Sequence, residues 1–338
     1  MADSERRGGR ASFQIVCNFY NFGSQIVTIL ISNSMERRKF ITSGIGAGLA
    51  TGAAITFGGI DNLMAGNAAL PYDLIAVRGG EPDVMFDKGI EALGGMSQFV
   101  KPGQKVVIKP NIGWDRVPER GANTNPILVK RIVEQCLKAG AKEVFVFDHT
   151  CHEWTKCYKN SGIEAAVVAA GGKMVPGDSE RYYQKVDVVG GAKLKDMKVH
   201  ELLLSSDVFI NVPILKHHSS SKISICMKNM MGCVWDRGFW HKNDLHQCIA
   251  DFLHYKKPTL NVVDAYYVMK QNGPMGVSLD DVITMKSLIL SRDIVAADSA
   301  ATKFFGKEPA DINHIVMANA AGLGVMDLSK VNINRINL

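Results

Sequence analysis

The chain has 338 residues, 46% of them apolar and 21% charged, with a formal net charge of +6. That balance is ordinary for a globular protein and excludes a collagen-like, low-complexity or disordered chain. No Lys/Arg run is interleaved with aromatics, so nucleic acid is not an expected partner.

Residues 1–34 have no helical or strand period, only a scrambled apolar patch at 26–31, and are expected to be a start-site overcall ahead of Met35. Arg37-Arg38-Lys39-Phe40-Ile41, followed by a Gly/Ala-rich apolar stretch over 45–60, has the form of a twin-arginine signal. Gly66-Asn67-Ala68 offers small residues for cleavage. The expected organisation is therefore a signal peptide at 35–69 and a mature domain at 70–338. The protein would be exported, to a periplasm or beyond, with the twin-arginine translocase as its partner in transit. A retained membrane anchor or a chance basic pair is the alternative. No later apolar stretch is long enough to span a bilayer. Beyond the leader lie Cys136, Cys151, Cys157, Cys226, Cys233 and Cys248, with no Cys-x-x-Cys spacing and so no iron–sulphur pattern. Mostly free, buried thiols are expected.

The mature region alternates strand and helix signals. Residues 105–109 are an apolar run stopped by Pro110, hence a buried strand. Asn125-Pro126 opens a helix whose apolar positions recur to Leu137 and which Gly140 ends. A strand at 144–147, a helix at 163–170 and a strand at 173–175 follow. This order predicts an α/β fold, a mostly parallel sheet with helices on both faces. Residues 186–189 and 198–204, around Gly190-Gly191, suggest a smaller hairpin or irregular insertion. Strands are expected at 207–212, 260–263 and 287–290, helices at 244–253, 294–304 and 310–320, while 223–227 stays ambiguous.

Several of these strands end in polar residues: Lys109-Pro110-Asn111, Asp148, Asn211 followed by Lys216-His217-His218, and Asp264. Ligands bind outside the carboxyl ends of parallel strands, where the loops converge. The segment from Lys216 to Lys222 carries two lysines and three serines able to cradle an anion. In an extended segment at most one of the two adjacent histidines can face the site. Lys228-Asn229 before Gly232 adds a cation and an amide at a tight loop, and Asn272-Gly273-Pro274-Met275-Gly276 is a loop by its turn chemistry. A phosphate-binding Gly-rich loop and a Gly-x-Ser-x-Gly elbow are both missing, which argues against nucleotide-driven or serine-hydrolase chemistry.

These blocks carry a resemblance. Ile108-Lys109-Pro110-Asn111, Thr124-Asn125-Pro126, Asn211-Val212-Pro213-Ile214-Leu215-Lys216-His217-His218, Met227-Lys228-Asn229-Met230-Met231-Gly232 and Val262-Val263-Asp264 resemble, in this order, the family catalogued as domain of unknown function 362. Some members carry a ferredoxin-like iron–sulphur module whose cysteines this chain does not have. The layout is more distantly similar to the nickel-pincer lactate racemase class, with lysine and histidine at strand ends. Where the resemblance implies one histidine after Lys216, this chain has two, and either can occupy the position.

The expected function is an enzyme binding a small anionic substrate, with or without a divalent metal, at the strand ends. Lys216, His217, Lys228 and Asp264 are the candidate catalytic residues. Lys109, Asn111, Asn211 and Asn229 would bind substrate, and Asp148, His217 and Asp264 are candidate metal ligands. The alternative from another class is a non-catalytic binding or maturation factor for an exported redox complex. Exchanging both Arg37 and Arg38 for Lys should retain the protein in the cytoplasm, because the paired guanidinium groups are what the translocase recognises. Cell fractionation of the double variant checks this; unchanged export would refute the leader assignment.

Overall fold

The computed structural model describes residues 70–338, so the leader and everything before it lie outside the described residues. Twelve strands and ten α-helices alternate along the described residues. Strand β1 (Leu74–Arg78) and helix α1 (Pro82–Ala92) come first. Next are β2 (Lys105–Pro110), α2 (Pro126–Lys138), β3 (Glu143–Val146), α3 (Trp154–Asn160), α4 (Ile163–Ala169) and β4 (Lys173–Met174). A separate antiparallel ribbon of β5 (Tyr183–Asp187) and β6 (Asp196–His200) is the expected insertion, and α5 (Leu202–Ser205) leads back to the main sheet.

The chain then forms β7 (Val208–Val212), β8 (Ile214–His218), β9 (Lys222–Ser224), α6 (Cys226–Asn229), α7 (Arg237–Lys242) and α8 (Leu245–Tyr255). It closes with β10 (Leu260–Met269), β11 (Val282–Ser291), α9 (Ile294–Thr302), α10 (Asn313–Ala320) and β12 (Ile333–Asn337). The large sheet runs in the order β12-β1-β11-β10-β7-β2-β3-β4. Its block from β10 to β4 is parallel throughout, whereas β11 is antiparallel to both β1 and β10. The fold is α/β with a mostly parallel sheet, as the alternation of signals predicts.

Both sheet faces are covered. Val107, Phe209, Val263 and Ile289 point into a core shared with the helices of the second half. Their strand neighbours Val106, Ile108, Ile210, Val262 and Leu290 point into the other core, with Met85, Phe86, Val129, Ile132 and Val133 of α1 and α2. This two-sided burial is why the strands are continuous apolar runs rather than alternating ones.

Helix α2 begins as expected: the Asn125 side chain accepts from the Ile127 amide, and Pro126 takes the first helical position. Strands β1 and β12 and helices α1 and α3 were not among the sequence expectations, and β10 and β11 are each ten residues long, more than twice the predicted cores. Of the six cysteines among the described residues, five are buried and all are free, but Cys151 is exposed. Among the described residues no helix is long and apolar enough to cross a membrane.

Candidate functional site

Strand β7 ends at Val212, and Pro213 separates it from β8. The two share β10 as a parallel partner: β7 pairs with Leu260 and Asn261, β8 with Asp264 and Met269. The break carries β8 past the carboxyl end of the sheet, where β9 pairs back along it. Side chains alternate along a strand, so Lys216 and His218 share a face and His217 takes the other. Lys216 and His218 line a cavity of about 450 Å³ together with Lys109, Asn111, Asp148, Cys151, Lys228, Asn229 and Arg237.

Three lysines enter this cavity in three different states. Lys109, at the end of β2, is 1% exposed; its ammonium donates to Asn229 Oδ1 at 2.8 Å and to the Pro110 carbonyl at 2.9 Å, and forms an ion pair with Asp148 Oδ1 at 2.8 Å, an oxygen that accepts no hydrogen bond among the described residues. Two hydrogen bonds and a carboxylate at ion-pair distance fit an ammonium. Asp148 Oδ2 also accepts from the Ile112 amide at 2.7 Å. Gly232 passes so close that a Cβ there would lie 1.9 Å from Asp148 Oδ1 and 2.5 Å from the Lys109 amine.

Lys216 is equally buried but has two acceptors, Asn111 Oδ1 at 3.0 Å and the Ala122 carbonyl, both uncharged. Burial, opposed by Cys151 and reinforced by neighbouring Lys228, lowers its pKa to about 7. Lys228, on α6, is 9% exposed and has no hydrogen-bond partner among the described residues. Burial is also the main cause of its lowered pKa, about 8.

An asparagine ladder holds the site from behind. Asn229 accepts from Asn111 Nδ2 at 3.1 Å, and donates to the Lys109 carbonyl at 3.2 Å and to Asn211 Oδ1 at 2.9 Å. Asn211 then donates to Asn261 Oδ1 at 3.0 Å and to the Cys226 carbonyl at 3.2 Å. Asn211 is fully buried behind the wall and is not among the cavity's lining residues.

Two further candidates are placed elsewhere. His217 Nδ1 accepts from the Gly273 amide at 3.1 Å, fixing the loop beside the site, where Gly273 packs against the His217 carbonyl. Asp264 is buried on β10, its two oxygens accepting from the Asn125 amide at 2.7 Å and the Tyr266 amide at 3.0 Å. Burial, partly offset by those two amides, raises its pKa to about 6. Asp264 thus anchors the start of α2 instead of serving as a base. The metal set of Asp148, His217 and Asp264 does not assemble, because each is committed to a different partner. Among the described residues no group of three His, Cys, Asp or Glu side chains is arranged to hold a metal ion.

The histidine in the cavity is His218. Its Nδ1 accepts from the Ser220 and Ser221 amides at 3.2 and 3.4 Å, which places the ring proton on Nε2. Burial and the adjacent Lys228 and Lys216 charges depress its pKa, so the ring is neutral. Arg237 and Cys151 were not flagged by the sequence. Arg237 starts α7 and donates to the carbonyls of His149 at 2.9 Å and Thr150 at 2.8 Å and to Cys151 Sγ at 3.3 Å. The one available signal was Asp236, whose side chain caps the helix that presents Arg237. A larger groove of about 860 Å³ adjoins the cavity through His149, Arg237 and Gly238. Its charges are of both signs and partly paired, Lys198 with Glu180 and Asp196 with Lys185, so the uncompensated charge gathers in the smaller cavity.

The model of the family described as "Domain of unknown function (DUF362)" matches residues 106–303. The chain is 26% identical over 242 residues to "Thylakoid-associated protein sll1697" of Synechocystis sp. (strain ATCC 27184 / PCC 6803 / Kazusa), covering 69% of this chain and 73% of that protein. It is similar in structure to the lactate racemase apoprotein from Thermoanaerobacterium thermosaccharolyticum, at 12% identity and a TM-score of 0.44. That similarity covers 68% of this chain and 56% of the racemase, so the chain spans a little over half its length.

Asp264→Ala should lower stability by about 1–3 kcal/mol, since two buried amides lose their acceptor, yet leave anion affinity in the cavity unchanged. Denaturant titration and calorimetric phosphate binding on the folded variant check the two halves. Gly232→Ala should do the reverse of sparing the site: its methyl group displaces Asp148 from Lys109, with a stability loss of roughly 3–5 kcal/mol, the scale of breaking a buried ion pair. Denaturant titration of that variant is the measurement.

Proposed function

We propose that this chain, which belongs to the family described as domain of unknown function 362, is an exported enzyme that binds a small carboxylate- or phosphate-bearing substrate in the cavity beyond β2, β3 and β8. One observation carries the proposal. Lys109, Lys216, Lys228 and Arg237 line the cavity with a single carboxylate, Asp148, and Lys109 already occupies it. Cations so enclosed repel one another and have lost water, so an anion entering between them is strongly favoured.

Lys228 and Arg237 would hold the substrate's charge. Arg237 is anchored by two backbone carbonyls, which fixes its plane for an approaching anion. Lys216, with a pKa brought to about 7, is suited to exchange a proton with the bound substrate near neutrality. His218 presents an Nε2–H donor for a substrate oxygen. Export through the twin-arginine route, proposed from Arg37 and Arg38, would place this activity outside the cytoplasm.

Anion affinity should depend on pH with a definite sign. Lys228 binds an anion as the ammonium, present below about pH 8 and lost above it, so affinity falls as pH rises through 8. Binding near pH 8 should therefore take up protons, seen as a dependence of the calorimetric enthalpy on the buffer's ionisation enthalpy. Without an anion the sign is opposite. Between about 8 and the ordinary lysine value of 10.5 the folded chain holds fewer protons than the unfolded one, so this lysine's contribution makes stability rise with pH there. Lys228→Met should weaken phosphate or malonate binding about tenfold or more and abolish the pH step. Unchanged affinity and pH dependence in that variant would overturn the assignment.

A further inference from the structure

We propose, building on the anion-binding function above, that Lys216 is an amine nucleophile that forms an imine with the carbonyl carbon of a small 2-oxo acid. The geometry of its hydrogen bonds points there. A neutral amine has two N–H bonds and one lone pair, and Lys216 has two acceptors, Asn111 Oδ1 and the Ala122 carbonyl. With both hydrogens so directed, the lone pair takes the remaining tetrahedral direction, and Lys216 is a wall residue of the cavity. Lys109 is the internal contrast: beside its two acceptors stands the Asp148 carboxylate at 2.8 Å, a counter-charge that favours the ammonium and that Lys216 does not have.

The neighbours fit the rest of such a substrate. A 2-oxo acid carries its carboxylate on the atom next to the electrophilic carbon. Lys228, unpartnered and nine-tenths buried in the same wall, is close enough to perturb the Lys216 charge. It offers the carboxylate a cation beside the amine, with Arg237 as a second. His218 Nε2–H can donate to the carbonyl oxygen, polarising it toward attack. A desolvated lysine beside a second cation is a known way to make an amine nucleophilic at neutral pH.

The step balances without oxidant or reductant. The Nζ lone pair forms the C–N bond while the C=O π pair moves to oxygen, which takes up a proton. Loss of that oxygen as water breaks the C–O bond and leaves C=N, the two amine hydrogens having been transferred to the departing water. Uptake of one proton from solvent on that nitrogen makes it an iminium, which draws electrons from the adjacent carbon, and this is the gain over simple binding.

The test is trapping. Wild-type protein is incubated with pyruvate and sodium cyanoborohydride, whose hydride reduces the imine to a stable secondary amine, and peptides are mapped by mass. The expected result is one carboxyethyl group on Lys216, suppressed by excess phosphate. Lys228→Met should lower the yield about tenfold or more with the same site labelled. Acetone, which has the carbonyl but no carboxylate, should label Lys216 far less. Pyruvate that raises the melting temperature but gives no adduct on Lys216 would overturn the imine and leave the anion function standing. Pyruvate, malonate and phosphate all failing to shift the melting temperature would overturn both. Equal labelling by acetone and pyruvate, or labelling spread over surface lysines, would also overturn the imine.

Discussion

The site depends on one buried ion pair. Lys109 and Asp148, at the ends of neighbouring parallel strands, meet at 2.8 Å with both side chains almost wholly removed from water. Burying two charges costs several kcal/mol per ion unless the geometry and the remaining hydrogen bonds are satisfied. Here Asn229 and the Pro110 carbonyl accept from the ammonium and the Ile112 amide donates to Asp148 Oδ2, which leaves Oδ1 to the ion pair alone. The pair in turn dictates its surroundings. Residue 232 has to be glycine, Asn229 has to present its oxygen inward, and Asn211 has to hold the amide end of Asn229. The same pair also consumes the cavity's carboxylate, which leaves the other cations without a counter-charge.

Charge inside the cavity is therefore set by each cation's partners, residue by residue. Lys109 has two acceptors and a carboxylate partner and acts as structure. Lys216 has two neutral ones and acts as a positioned amine. Lys228 has none among the described residues and is available to a ligand. Sequence distance does not sort these roles, since Lys216 and Lys228 stand twelve positions apart and Lys109 lies more than a hundred before them. What sorts them is which strand end or short helix delivers each, and what backbone carbonyls or amides wait there.

Much of the fold was legible because a sheet covered on both faces writes itself as continuous apolar runs: 105–109 and 260–263 fall within observed strands, and 144–147 and 207–212 each overrun theirs by one residue. Strand β8 was not legible as a strand. Leu215 is buried in the core, but Lys216 and His218 face a cavity, so the inward positions are polar and the period-2 apolar signal is missing. The choice between His217 and His218 needed the phase of that strand, which only pairing with β9 and β10 supplies. Of the candidate residues, Lys109, Asn111, Asp148, Lys216, Lys228 and Asn229 do line one cavity, as convergence of strand ends requires. Asn211 sits next to the end of β7 as expected, whereas Asp264 falls mid-strand because β10 runs on to Met269; an amide ladder and backbone amides claim the two side chains, a competition invisible in one dimension. Arg237 and Cys151 come from a helix start and a loop, where no periodic signal exists to find them.

An arrangement of this kind links ligand occupancy to protonation. Without an anion, removal from water and mutual repulsion push protons off Lys216 and Lys228, so the empty cavity limits its own positive charge near neutral pH. An anion arriving at Lys228 reverses that balance for the lysine it touches and restores its proton. Lys216 need not follow, because its two hydrogens are already directed to Asn111 and Ala122, and a third would have no acceptor. The bound state that results is a cationic Lys228 beside a neutral Lys216. One lysine then holds the substrate while the other keeps a lone pair to act on it, which two lysines with identical surroundings could not do together.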